Sequence, residues 1–190
     1  MTPSEVTPDQ MAVGQVTSDQ MALGKALGAH HLVSLRVENR AGVLARVAGL
    51  FSRRGFNIIS LAVAPTENER FSRIAIVVDA DSAPLQQVVD QLDKLVNVVE
   101  ITELRPRDAI QAELMLATVL TTGAKRSEVD AVVREHGATL IEEGSGAATL
   151  MLAAGSDRLD RLEAALGPIG ILALQRTGAI ALRKLGEPPA

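Results

Sequence analysis

Residues 32–58 read LVSLRVENRAGVLARVAGLFSRRGFNI, and the change of period inside this stretch decides the fold. Val33, Leu35 and Val37 alternate with Ser34, Arg36 and Glu38, the two-residue period of a strand with one apolar face. After Asn39 and a turn at Gly42, apolar residues fall at Val43, Val47, Leu50 and Phe51, the spacing of a helical stripe. Gly55 suits a helix end, and Asn57 re-enters at the start of another strand.

Working outward, the pattern predicts a strand at 32–38, a helix at 43–54, strands at 56–65 and 71–79, a helix at 84–95 and a strand at 97–104. A polar run at 65–70 turns the chain between the central strands, and Leu85, Val88, Val89, Leu92 and Leu95 stripe the second helix. The order β-α-β-β-α-β is that of a split βαβ, or ferredoxin-like, fold. Right-handed crossovers put both helices on one face of an antiparallel sheet, so the other face needs cover. Dimerisation through sheets would supply it, and the apolar edge strands, an aggregation risk if left open, also suit side-by-side pairing into a continuous sheet.

Arg105, Pro106, Arg107 and Asp108 have the character of a linker, and a second cycle follows. It comprises a strand at 114–121, a helix at 127–136 with Val129, Val132 and Val133 inward, and a strand at 138–143. Gly144-Ser145-Gly146 forms a turn, then come a strand at 147–154, a helix capped by Ser156 and striped by Leu159, Leu162 and Leu166, and a last strand at 172–183. The expected fold class is therefore α+β, with two consecutive ferredoxin-like βαββαβ domains at 30–105 and 110–186, joined by a linker at 106–109. Residues 1–29 carry a near-duplication (TPDQMAVG at 7–14, TSDQMALG at 17–24) and the composition of a flexible leader. An amphipathic segment that docks through Met11, Val13, Met21 and Leu23 is the alternative, and a translation start at Met21 would shorten the leader.

Composition narrows the function. The 190 residues include 47% hydrophobic but only 2% aromatic side chains, so the cores are aliphatic and no platform exists for stacking bases. With a formal net charge of −4, no large basic nucleic-acid surface is expected. Zero cysteines exclude disulfides, thiolate nucleophiles and Cys-ligated metals. No run reaches the roughly 18 apolar residues of a membrane span and no basic region precedes an apolar one at the N-terminus, so the expectation is a cytoplasmic protein without membrane contact.

The turn at 39–42 has the makings of a ligand site. Free amides at a helix start hold carboxylates, and the side-chain amides of Asn39 and Asn57 could flank one anion pocket. Asn57 in an apolar strand needs a partner, since burying an unpaired amide is costly. Ala41 and Val43 offer backbone donors and small apolar surface, which suits an amino acid with a short aliphatic tail. The plainer alternative is that Asn39 caps and Gly42 turns, as at any strand-to-helix junction. His30 and His31 lack further metal ligands, His136 reads as a helix-end residue, and the Glu67/Glu69 and Glu142/Glu143 pairs have no nucleophile or base beside them. Arg46, Arg53, Arg54 and Arg73 read as a solvated basic flank or a partner surface, and no catalytic constellation emerges.

Residues 37–47 and 49–58, followed by SLAVAPT at 60–66, SRI at 72–74, QLDKLVNV at 91–98, ELML at 113–116 and RTG at 176–178, closely resemble the acetolactate synthase small (regulatory) subunit family, whose first domain is an ACT domain. The resemblance spans about 30–185. It implies a non-catalytic subunit that stimulates a thiamine-diphosphate-dependent large subunit and confers feedback inhibition by valine or another branched-chain amino acid. Paired ACT domains would hold this effector against Asn39, Ala41, Gly42, Val43 and Leu44 of one subunit, with Asn57 and Ile58 arriving from its partner. The implied partners are the large catalytic subunit, a second copy of this chain and the amino acid. No cofactor is implied for this chain, whereas thiamine diphosphate, Mg and FAD are implied for the catalytic subunit. The chain departs from the family at Ala41, where Ser or Asp is frequent, and at Ile59, where Glu is common. A free-standing ACT-type sensor of a different enzyme or of a transcription factor is the alternative function.

Overall fold

The alternating residues of the opening stretch form β1 (His30–Glu38), and Val33, Leu35 and Val37 lie at 0–2% exposure beneath helix α1 (Val43–Arg54). A computed structural model describes residues 30–79, 84–105 and 107–186, so the leader at 1–29 and Pro106 of the linker lie outside the described residues. Helix α1 begins after Gly42 (φ +84°) and closes at Gly55 (φ +69°), where the Phe56 N–H donates to the Phe51 carbonyl at 3.0 Å. The rings of Phe51 and Phe56 meet edge to face at 6.0 Å, pinning the exit from the helix. Arg53 and Arg54 occupy the last turn, where the helix dipole favours cations.

Strands β2 (Ile58–Pro65) and β3 (Phe71–Asp79), helix α2 (Leu85–Leu92) and β4 (Val98–Leu104) complete the first domain. The sheet order is β2-β3-β1-β4, all pairs antiparallel, with β2 at one edge. Val47, Leu50 and Phe51 of α1 and Val88 and Leu92 of α2 pack on Ile74, Ile76 and Val78 of β3. Helix α2 stops at Leu92, short of the predicted 95, because the chain tightens into turns that place the Leu95 N–H on the Leu92 carbonyl (3.0 Å). Leu95 still reaches the core from that turn.

The second domain repeats the order as β5 (Ala109–Leu120), α3 (Lys125–His136), β6 (Thr139–Gly144), β7 (Ala147–Ala154), α4 (Ser156–Leu166), β8 (Ile171–Arg176) and β9 (Ile180–Arg183). Its sheet runs β6-β7-β5-β8, and β9 pairs with the other end of β5. Two consecutive ferredoxin-like units thus occur as the sequence predicts, with three local differences. The last strand is broken, since Gly178 at φ +81° redirects the chain from β8, which pairs with residues 115–119, to β9, which pairs with 109–112. Ala109, assigned to the linker by the sequence, is 5% exposed and already paired with Arg183. Ser156 is the first helical residue rather than the cap, which falls at Gly155, and its hydroxyl lies 3.3 Å from a Glu113 carboxylate oxygen.

The face of the first sheet opposite its helices is divided. At one end Leu32, Val77 and Leu104 are covered by Ala109, Ala179 and Ala181 from the β5–β9 ribbon, with Ile59 alongside. The expected need for outside cover is therefore met there from within the chain. At the other end Arg36 pairs with Glu100 (2.8 Å) and lies 5.2 Å over the Phe71 ring, and Arg73 donates to Ser34 Oγ (3.2 Å), so that end tolerates water. Among the described residues no helix is long and apolar enough to cross a membrane.

Candidate functional site

The loop from β1 to α1 is held against the β2–β3 hairpin. The Asn39 N–H donates to the Arg70 carbonyl at 2.8 Å, and its Nδ2 donates to the Glu69 carbonyl at 2.9 Å. That hairpin is itself braced, as Asn68 Oδ1 accepts from the Arg70 N–H (3.1 Å) and Thr66 Oγ1 donates to the Asn68 carbonyl (2.9 Å). With its NH2 group committed to a carbonyl, Asn39 turns an acceptor oxygen toward any further partner. A ligand ammonium group matches that oxygen.

Gly42 then sets up the helix start. The first helical bond runs from the Arg46 N–H to the Gly42 carbonyl at 3.0 Å, so the amides of Leu44 and Ala45 precede it. Among the described residues no side chain caps this end, and no acidic residue occupies the first turn, in contrast to Asp157 in α4 and Glu128 in α3. The partial positive charge of the helix end is thus available to an anion. Asn39, Ala41 and Gly42 are exposed, and Leu44 is 42% exposed beside them.

Two expectations about this loop change. The Val43 side chain is buried in the core and its N–H meets the Arg40 carbonyl at 3.3 Å, so Val43 anchors the helix rather than donating to a ligand. Asn39 and Asn57 do not flank one pocket within a chain. Helix α1, 12 residues long, separates them by about 18 Å at 1.5 Å per residue. Asn57 lies at the other end of the sheet, where its carbonyl accepts from the Asp79 N–H at 3.1 Å, and Ile58 packs half-buried against the core. Both asparagines are exposed, so the argument from burying an unpaired amide does not apply to the single chain.

A polar chain borders the helix start that periodicity did not reveal. Asn97, in the turn before β4, donates to Glu38 Oε2 at 2.6 Å and accepts from Arg46 Nη1, while Arg40 Nε lies 3.8 Å from Glu38. These partners are brought together from positions 38, 46 and 97 by the sheet order alone. Arg40 thus meets Glu38 directly, and Arg46 is linked to it through Asn97.

The second domain contains a charged node that the sequence likewise leaves unmarked. Glu113 of β5, 8% exposed, pairs with Arg176 Nη2 at 2.7 Å, while Arg176 Nη1 reaches Asp160 (2.6 Å) and Glu163 (3.5 Å) of α4. Burial opposes the charge on Arg176, but the hydrogen bonds and charges of Glu113 and Asp160 outweigh it and leave its pKa raised. The Gly178 N–H donates to the second Glu113 oxygen at 3.2 Å. Its carboxylates are taken up by Arg176, the Gly178 N–H and the Ser156 hydroxyl, which suits the node to holding elements in place.

Comparison with known proteins agrees with this architecture. Residues 33–100 match the family described as the AHAS small subunit-like ACT domain, and residues 112–185 match the small subunit of acetolactate synthase. The acetolactate synthase small subunit of Mycobacterium bovis is 40% identical over 154 residues, covering 81% of this chain and 92% of the relative. The probable acetolactate synthase small subunit of Archaeoglobus fulgidus is 36% identical over 152 residues, covering 80% and 95%. The crystal structure of the Thermotoga maritima acetolactate synthase small subunit superposes with a TM-score of 0.77 at 29% identity, covering 83% of this chain and 99% of that one. From its fold, its two matched domains and these relatives, the chain belongs to the acetolactate synthase small-subunit family.

Proposed function

We propose that this chain is the regulatory subunit of an acetolactate synthase. It binds valine, or another branched-chain amino acid, at a site shared by two copies, and it stimulates a thiamine-diphosphate-dependent catalytic subunit that also carries Mg and FAD. The observation that carries this reading is the placement of Asn39 and Asn57 at opposite ends of a sheet whose edge strand is β2. Strand β2 runs from the Asn57 end toward the hairpin that holds Asn39. Antiparallel pairing of two β2 edges across a two-fold axis brings the Asn57 end of each copy to the Asn39 end of the other.

Each composite site then has complementary chemistry. The α1 amides take the carboxylate, Asn39 Oδ1 accepts from the ammonium, and Leu44 with Ile58 of the second copy faces the aliphatic tail. Occupancy acts on the catalytic subunit only to the extent that the effector prefers one arrangement of the complex, a coupling of about 1–3 kcal/mol in typical systems. Co-expression with the catalytic subunit tests this reading. The expected result is a stable complex with higher activity than the catalytic subunit alone and with inhibition by valine; a chain that neither associates nor alters activity contradicts it.

A further inference from the structure

A hydrogen bond joins the two domains directly, from the Ala179 N–H to Ser60 Oγ at 3.3 Å. The same serine leaves little room for a side chain at Gly178. A β-carbon on Gly178 would lie 3.2 Å from Ser60 Cβ and 3.4 Å from the Leu61 nitrogen, and its φ of +81° disfavours any side chain. On the far side of this contact the Gly178 N–H holds Glu113, Glu113 holds Arg176, and Arg176 holds Asp160 of α4. A continuous set of polar contacts therefore runs from β2 into the second domain. Its first-domain end lies three residues from Asn57.

We propose that the junction of Ser60 with Gly178 and Ala179 transmits occupancy of the amino-acid site to the second domain, with Ser60, Gly178 and Glu113 as positioning residues. This rests on the effector site proposed above. Strand β2 changes register between Ile58 and Ser60, and such a bulge lets the start of a strand shift while 61–65 stay paired with β3. The rest of the domain contact is built on Ala109, Ala179 and Ala181 against Leu32, Val77 and Leu104, small side chains that permit sliding. Ser60, by contrast, is tied to the Ala179 N–H by its hydroxyl, so its displacement is passed on through that hydrogen bond. The node around Arg176 resists local distortion because misaligning a largely buried ion pair is costly, and α4 moves with it.

The test uses the full-length chain in complex with its catalytic subunit, with wild type, Ser60→Ala and Gly178→Ala compared. Valine affinity of the small subunit is read by calorimetry, and residual activity at saturating valine is read in the complex. The expected result is affinity within about threefold of wild type together with residual activity raised about fivefold or more. Inhibition of wild-type depth in the variants overturns the junction and leaves the effector site standing. Joint loss of binding and inhibition in Ser60→Ala assigns a folding role and also overturns it, whereas a wild-type chain that binds none of valine, leucine and isoleucine overturns both proposals. If strain prevents Gly178→Ala from folding, Ser60→Ala decides the matter, because it keeps the β-carbon and removes only the acceptor.

Discussion

The side-chain amide of Asn39 donates to the backbone carbonyl of Glu69 at 2.9 Å, so the start of α1 moves with the tip of the β2–β3 hairpin. The contact is exposed, and its loss in Asn39→Ala should cost about 0.5–1.5 kcal/mol of stability. The effect on valine should be larger. Loss of a hydrogen bond to a charged ammonium weakens binding by about 1.5–3 kcal/mol, or roughly ten- to a hundredfold. Calorimetry on the variant, with activity of the complex measured in parallel, should show weakened affinity and retained stimulation.

A site shared between copies makes a complementation prediction. Homodimers of Asn39→Ala and of Asn57→Ala each contain two damaged sites, whereas a mixed dimer of the two variants contains one intact site and one doubly damaged site. Tandem-tag purification of the mixed dimer should recover near-wild-type affinity at half the wild-type stoichiometry. Affinity no better than that of either homodimer would mean that the two asparagines do not meet across the interface.

Val63, 44% exposed on edge strand β2, is placed to feel a second copy. Lysine on an edge strand blocks pairing. Val63→Lys should lower the sedimentation mass to that of one chain and abolish valine binding while leaving the circular dichroism spectrum unchanged. A dimeric Val63→Lys variant would place the interface elsewhere.

Arg176 balances Glu113 in a mostly buried setting, and its raised pKa sets the sign of the pH effect. A raised cationic pKa contributes stability that is fully present below the ordinary arginine range and is lost only as pH rises past the folded value, so the wild-type contribution is flat from pH 5 to pH 9. Arg176→Met leaves a carboxylate enclosed without its counter-charge, a change that costs about 3–5 kcal/mol. Urea denaturation of the variant at neutral pH should show that loss. Stability within about 1 kcal/mol of wild type would mean that the node is sustained by packing.

Much of this was legible in residues 32–58, where the strand period, the turn and the helical stripe occur within one segment and depend on local physics. The same holds for the repeated βαββαβ order, because each apolar face needs only its own periodicity to be read. The Glu38–Asn97–Arg46 chain and the Glu113–Arg176–Asp160 node were not legible, since their members are brought together by strand order rather than spacing. The break between β8 and β9, by contrast, has a local signal that the single predicted strand overran, since QRTG at 175–178 interrupts the apolar pattern of 172–183 and Gly178 takes φ +81° there. The distance between Asn39 and Asn57 within one chain required knowing that α1 runs antiparallel to β1, which places the two residues at opposite ends of the sheet.

Isothermal titration of valine, leucine and isoleucine into the full-length chain, in a sample shown by sedimentation to be dimeric, decides whether paired first domains hold a branched-chain amino acid. Saturable binding of at least one of the three is expected, with affinity weakened in the Asn39→Ala and Asn57→Ala homodimers. No heat of binding from any of the three at millimolar concentration would contradict the proposed role.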